Sequence, residues 1–195
     1  MKNNEMTLEN LEEMLRTFRI PYLEWGKGNS KTLVHLLKEI KERETTIQEE
    51  EGKLVRSVSV SYVDVFYQNE NGMTYKLLEN RQEFRDGRVR RRPYLIGSIA
   101  EKMKSGEDSQ EAAYRALSEE LGINERYILH NKRVREIEED SPSYPGLSSR
   151  FKNYLSEVTL PRKNVRLEGY VEEQRDKNTF WIWKPINEKN EKYRR

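Results

Sequence analysis

The sequence predicts a mixed α/β protein with an added helical segment at the amino terminus. Three observations carry this. Before residue 50 two stretches repeat apolar residues at helical spacing; from about 53 to 184 β-branched and aromatic runs alternate with Gly, Asn and Pro turns; and a capped helix interrupts those runs near residue 110. The expected organisation is an N-terminal helical extension over 1–50, a main domain over 51–186 and a charged tail over 187–195.

Leu8, Leu11, Leu15 and Phe18 recur at helical spacing behind Thr7, whose hydroxyl can cap, and Pro21 ends this first helix. An aromatic loop with Trp25 anchored against the body follows. Its Gly26-Lys27-Gly28 reads as a turn, since the Gly-Lys-Ser/Thr element of a nucleotide-triphosphatase loop is missing. A second helix over about 30–43 presents Leu33, Val34, Leu36, Leu37 and Ile40, and its His35, with no histidine or cysteine nearby, reads as structural.

Residues 53–67 favour a strand, Asn69-Glu-Asn-Gly72 a turn, and 73–78 a returning strand. Residues 81–92 hold six arginines against Glu83 and Asp86, a local charge of +4 in a chain of net charge +2. Arg88, Arg90, Arg91 and Arg92 suit phosphate, because guanidinium forks match phosphate oxygens; a solvated hairpin whose arginines pair with nearby acids is the other reading. Strands are expected over 127–137, 154–160 and 179–184, with a polar loop over 138–146. Tyr144 to Phe151 read either as a surface loop or as the lining of a substrate mouth. Trp181 and Trp183 share one strand face, as core closure or as a stacking platform for a base.

At 195 residues, 34% apolar and 36% charged, the chain can build one substantial core under a highly charged surface. The absence of cysteine excludes disulfides, thiolate nucleophiles and cysteine-based metal sites. No apolar run approaches the length of a membrane span and no secretory signal begins the chain, so a soluble cytoplasmic protein without membrane partners is expected.

The most informative stretch is Glu101 to Ile123. It reads as a turn, a helix capped by Asp108 or Ser109, and an exit at Gly122, with Ala113, Leu117 and Leu121 as a buried stripe. Another face carries Arg115 with Glu119 at i,i+4, and Glu120 one turn after Ala116. Adjacent carboxylates beside an arginine can hold a hard cation and a phosphate, or can simply be solvated surface.

Glu107, seven residues, then Arg115-Ala-Leu-Ser-Glu119-Glu120-Leu-Gly122-Ile123 resembles the signature of the Nudix superfamily. That resemblance implies a Nudix-like alpha-beta-alpha sandwich with a mixed sheet, in which Glu107 and Arg115 brace the loop, while Glu119 and Glu120 sit at or near Mg2+ or Mn2+. The match departs in three places: Ala116 replaces a glutamate that often binds metal or acts as base, Ala100-Glu101 replaces the leading glycines, and Lys104 replaces another glutamate.

Two functional expectations follow. One is a divergent metal-dependent hydrolase of a nucleoside diphosphate linked to another moiety, in which Glu101, Glu119 and Glu120 carry metal and catalysis, Glu101 making up for Ala116. The other is a catalytically weak or inactive Nudix-like module that binds a nucleotide or RNA phosphate through the arginines. A further metal-linked carboxylate would come from Glu157, residues 138–140, Glu168, Glu172 or Glu173. Homo-oligomers would form through the N-terminal helices.

Overall fold

The computed structural model describes residues 6–92 and 97–186; the expected tail at 187–195 lies outside the described residues. Helices α1 (Leu8–Thr17) and α2 (Leu33–Lys41) come first, with a short 3-10 turn at Tyr22–Glu24 between them. Strands β1 (Thr46–Glu50), β2 (Lys53–Gln68), β3 (Thr74–Phe84), β4 (Val89–Arg90) and β5 (Ile99–Lys102) lead to α3 (Ser109–Leu121). Then come β6 (His130–Asp140), β7 (Ser148–Leu160), a 3-10 turn at Arg162–Asn164, β8 (Tyr170–Glu173) and β9 (Lys177–Pro185).

The fold is mixed α/β with N-terminal helices and a mixed sheet, as the sequence predicts. Among the described residues the strand order is β6-β7-β2-β3-β9-β8, with β1 and β5 also pairing β2 and β4 pairing β3. Strand β3 is antiparallel to β2 and β9. Along β2 and β7 the partners advance together: Arg56 lies over the Phe151 ring and the Ser156 hydroxyl donates to Tyr62 O, so these two run parallel.

The chain divides into two compact units, and β2, β5, β6 and β7 contribute to both. The first comprises residues through Val60 with Lys102–Glu107 and Val134–Asn153. Its core is Leu11, Leu15, Trp25, Leu36, Leu54, Tyr144 and Leu147. Thr7 caps α1 by accepting from Asn10 N-H. His35 has a structural role, its Nδ1 accepting from Thr32 N-H at 3.1 Å to complete the cap of α2. The Trp25 indole donates to Pro145 O at 2.9 Å and packs on Tyr144. Tyr144 is therefore a core residue, and from Ser148 the stretch is strand β7, so the surface-loop reading of Tyr144 to Phe151 is corrected. Beside this core Glu39 accepts from Lys31 at 2.6 Å, Arg56 at 2.7 Å and Lys102 at 2.7 Å.

The second unit comprises Ser61–Glu101, Asp108–Arg133 and Tyr154 onward. Val63 and Val65 of β2, Leu77 of β3, Val158 and Leu160 of β7, Tyr170 of β8 and Trp181 of β9 meet Ala113, Ala116, Leu117 and Leu121 of α3 in one core. Both tryptophans of β9 close it, the Trp181 indole donating to Ser98 O and that of Trp183 to Arg166 O. Gly169 permits the β8–β9 approach, because a Cβ there would meet Trp181 O at 2.1 Å.

Three strands are longer than periodicity suggests, among them β7, which begins at Ser148 rather than at 154. β3 runs on to Phe84 because β9 pairs along its polar second half, and β6 runs on to Asp140 because Glu136 and Glu138 pair with Lys152 and Arg150 of β7. Residues 138–140 are thus strand, not loop.

Candidate functional site

Helix α3 begins where the Asp108 carboxylate accepts from Gln110 N-H at 2.8 Å and ends at Gly122 in the left-handed region, φ 67°. These caps fix the ends of the segment. Glu107 holds the turn before it: its carboxylate accepts from Lys104 N-H at 2.7 Å and its own N-H donates to Lys104 O at 2.9 Å. Lys104 itself is exposed.

Within the second unit the signature residues separate by environment. Arg115 Nη1 lies 2.9 Å from the Glu101 carboxylate, both side chains about one-fifth exposed. Glu119 stands 4.0 Å from the same nitrogen and is 56% exposed. Glu120 turns inward and accepts from Ala100 N-H at 3.2 Å. Burial pushes its carboxyl up to about 8; the charges of Glu172, Glu101 and Glu79 push the same way, against the Ala100 hydrogen bond. Ala116, one turn before Glu120, is fully buried in the core of this unit.

Three of the four predicted phosphate-binding arginines are engaged locally. Arg88 bonds to Asp86 at 2.7 Å and lies over the Phe84 ring, Arg91 bonds to Asn80 O and Oδ1, and Arg92 makes two bonds to the buried carboxylate of Glu79. Arg90 is exposed on β4 opposite Gln82, and its side chain makes no hydrogen bond or ion pair among the described residues.

The sheet face turned away from α3 carries a cavity of about 550 Å³. Strand alternation explains it: Val63, Val65, Leu77 and Val158 face α3, so Asp64, Phe66, Thr74, Glu157 and Thr159 face the other way. Lys132, Arg133, Leu155 and Ile186 complete its lining. Lys76 pairs with Asp64 at 2.7 Å and Lys132 with Glu157 at 2.8 Å. Burial raises the Asp64 carboxyl against the pull of Lys76.

Of the outer carboxylates named from sequence, Glu172 is the one whose charge acts most on Glu120; Glu157 belongs to the cavity, and Glu138 is paired with Arg150. Glu79, Asp64 and Lys76 were not anticipated. Two signals pointed to them: Glu79 lies across the Asp86-Gly87 turn from Arg92, and strand alternation puts Asp64 opposite the core residues.

A divalent cation does not fit these donors as they stand. Among the described residues no group of three or more Asp, Glu or His side chains is placed to hold one. Glu101 is committed to Arg115, Glu119 is turned to the surface, and Glu120 is held where it favours a proton.

No protein-family model matches the sequence, and no curated protein matches it either. Among solved structures, the C. elegans Ap4A hydrolase is 16% identical with TM-score 0.40, the match covering 71% of this chain and 88% of that one. The T. brucei MERS1–RNA complex is 16% identical with TM-score 0.37, covering 83% of this chain and 60% of that one. The M. smegmatis Nudix hydrolase RenU is 13% identical with TM-score 0.33, covering 69% and 72%.

Proposed function

We propose that the chain is a Nudix-like module that recognises a nucleotide or an RNA phosphate and hydrolyses it weakly or not at all. One observation carries the reading: the carboxylates that would serve a cation are otherwise committed. Position 116 is a core methyl, Glu101 is neutralised by Arg115, and Glu120 sits where burial favours its protonated form. The Glu101–Arg115 pair leaves the mouth of the loop less repulsive to a phosphate than open carboxylates would be, and exposed Arg90 can donate to one. The cavity with Phe66 and Arg133 offers an aromatic ring and a cation for a nucleoside carrying an anionic group.

A metal-dependent pyrophosphohydrolase is the second reading, favoured by the charges of Glu172, Glu101 and Glu79 gathered on Glu120, which Mg2+ or Mn2+ would offset. The test separates the two. Full-length protein is titrated, by amide spectra, with ADP-ribose, a dinucleoside polyphosphate and a 5′-phosphorylated RNA, and turnover of each is measured with Mg2+ or Mn2+. Binding weakened by R90A or R133A, with turnover no higher than in an E119Q/E120Q variant, is expected. Turnover well above that variant establishes the hydrolase, and absence of any spectral change sinks the recognition reading.

A further inference from the structure

Strand β6 ends the strand order, and among the described residues no strand pairs its outer side. Apart from half-buried Ile137 its residues are exposed. A long unpaired edge of this kind presents free N-H and C=O groups and pairs with another strand unless its side chains oppose it. The part within the first unit, Val134–Asp140, has charges that favour one partner.

Its two faces differ. Glu136 and Glu138 face β7 neighbours and are already satisfied, by Lys152 at 3.3 Å and Arg150 at 2.9 Å. On the alternate face lie Arg135, Ile137 and Glu139, and the side chains of Arg135 and Glu139 make no ion pair or hydrogen bond among the described residues. This row of cation, aliphatic and anion becomes its own complement when reversed about Ile137. Arg135 then meets Glu139 of a second copy, Ile137 meets Ile137, and Glu139 meets Arg135.

We infer that β6 is the edge through which two copies of the chain join, antiparallel and two-fold symmetric, into one continuous sheet. The backbone supports this register. Ser141 N-H donates to Leu147 O where the β6–β7 hairpin closes, and from there the ladder turns the odd-numbered peptide groups of β6 toward β7. The peptide groups of Glu136 and Glu138 point outward, so the bonds to a second copy form at these even positions. Arg135, Ile137 and Glu139 then occupy the non-hydrogen-bonded pairs, where opposing side chains stand closest.

The register sets Glu136 against Glu138 of the partner, and Lys152 and Arg150 stand beside them to offset that repulsion. Centring on Arg135 instead would oppose two arginines. The contact is thus isologous and closes at two copies.

Sedimentation of the full chain over a range of concentrations tests it. Wild type is expected to show a concentration-dependent dimer that weakens with salt. R135E and E139R should each weaken it about tenfold, because each sets like charges opposite one another twice, and the R135E/E139R exchange should restore it. A monomer at every concentration overturns the inference. So does a dimer indifferent to all three variants, which would place the contact elsewhere, as on the N-terminal helices. All substitutions are at exposed positions, and circular dichroism of each variant verifies that folding is retained. None touches Glu101, Glu120, Arg90 or the cavity, so this outcome is independent of ligand recognition.

Discussion

Replacing Glu120 by glutamine should make the protein more resistant to alkaline pH without changing it in acid. The carboxyl titrates at 4.5 in an ordinary environment and is pushed up to about 8 here, mainly by burial and then by Glu172. A raised acid pKa means that folding favours the protonated form. Its stabilising contribution is complete below pH 4.5 and is lost as pH climbs through about 8. At about 1.4 kcal/mol per unit the whole shift is worth about 5 kcal/mol, and partial exposure reduces the expected loss to about 2–4 kcal/mol. Glutamine keeps the shape and the Ala100 N-H acceptor but carries no charge. Urea denaturation of both proteins from pH 4 to pH 9.5, in EDTA, should therefore give curves that coincide in acid and diverge steadily above pH 5, with E120Q the more stable. A difference independent of pH, or wild type gaining on E120Q as pH rises, would refute the reasoning. Repeating the alkaline points with Mn2+ adds a second reading: recovery of wild type but not of E120Q would mean that a cation neutralises the same carboxyl.

Other positions give sharp expectations. Glu39→Ala strands the buried Arg56 and should cost about 3–5 kcal/mol in chemical denaturation. Burial alone would raise the Glu39 carboxyl, but hydrogen bonds from Lys102 and Lys31 outweigh it and hold it at about 2, so wild type should lose this unit's stability as pH falls from 4.5 toward 2. Ala116→Glu, which completes the signature that the sequence resembles, should destabilise by about 3 kcal/mol or more and confer no turnover, since the new carboxylate enters a packed core; a stable, active A116E protein would show that this methyl does border the site. Gly169→Ala should cost about 3 kcal/mol in thermal denaturation, because the backbone of Trp181 cannot yield as a side-chain tip would.

What could be read from sequence was what is local. The ends of α3, the Thr7 cap, the turn at Asn69–Gly72 and the stripe of Ala113, Leu117 and Leu121 depend on neighbours within one or two turns, and all are present. The second half of β3 and the outer strand β6 were harder because their residues are polar. Their strand geometry comes from β9 and from ion pairs with β7, which no window of sequence contains. The arginines followed the same rule: their number was visible, but not that Glu79, Asn80 and Asp86 would occupy three of them.

The helix carrying the signature shows why composition of a motif is a weaker guide than the angular position of its residues. At about 100° per residue, Glu120 returns to within about 20° of Ala113, between Ala116 and Leu117, so it lies in the middle of the buried arc. Arg115 and Glu119 fall on the far flank, and there Arg115 meets Glu101. One carboxylate is consequently desolvated and another neutralised by its neighbour, so the loop repels an approaching phosphate less than its count of acids suggests. A cation gathered there would have to draw Glu101 away from Arg115 and compete with the proton that the raised Glu120 carboxyl binds more tightly than usual.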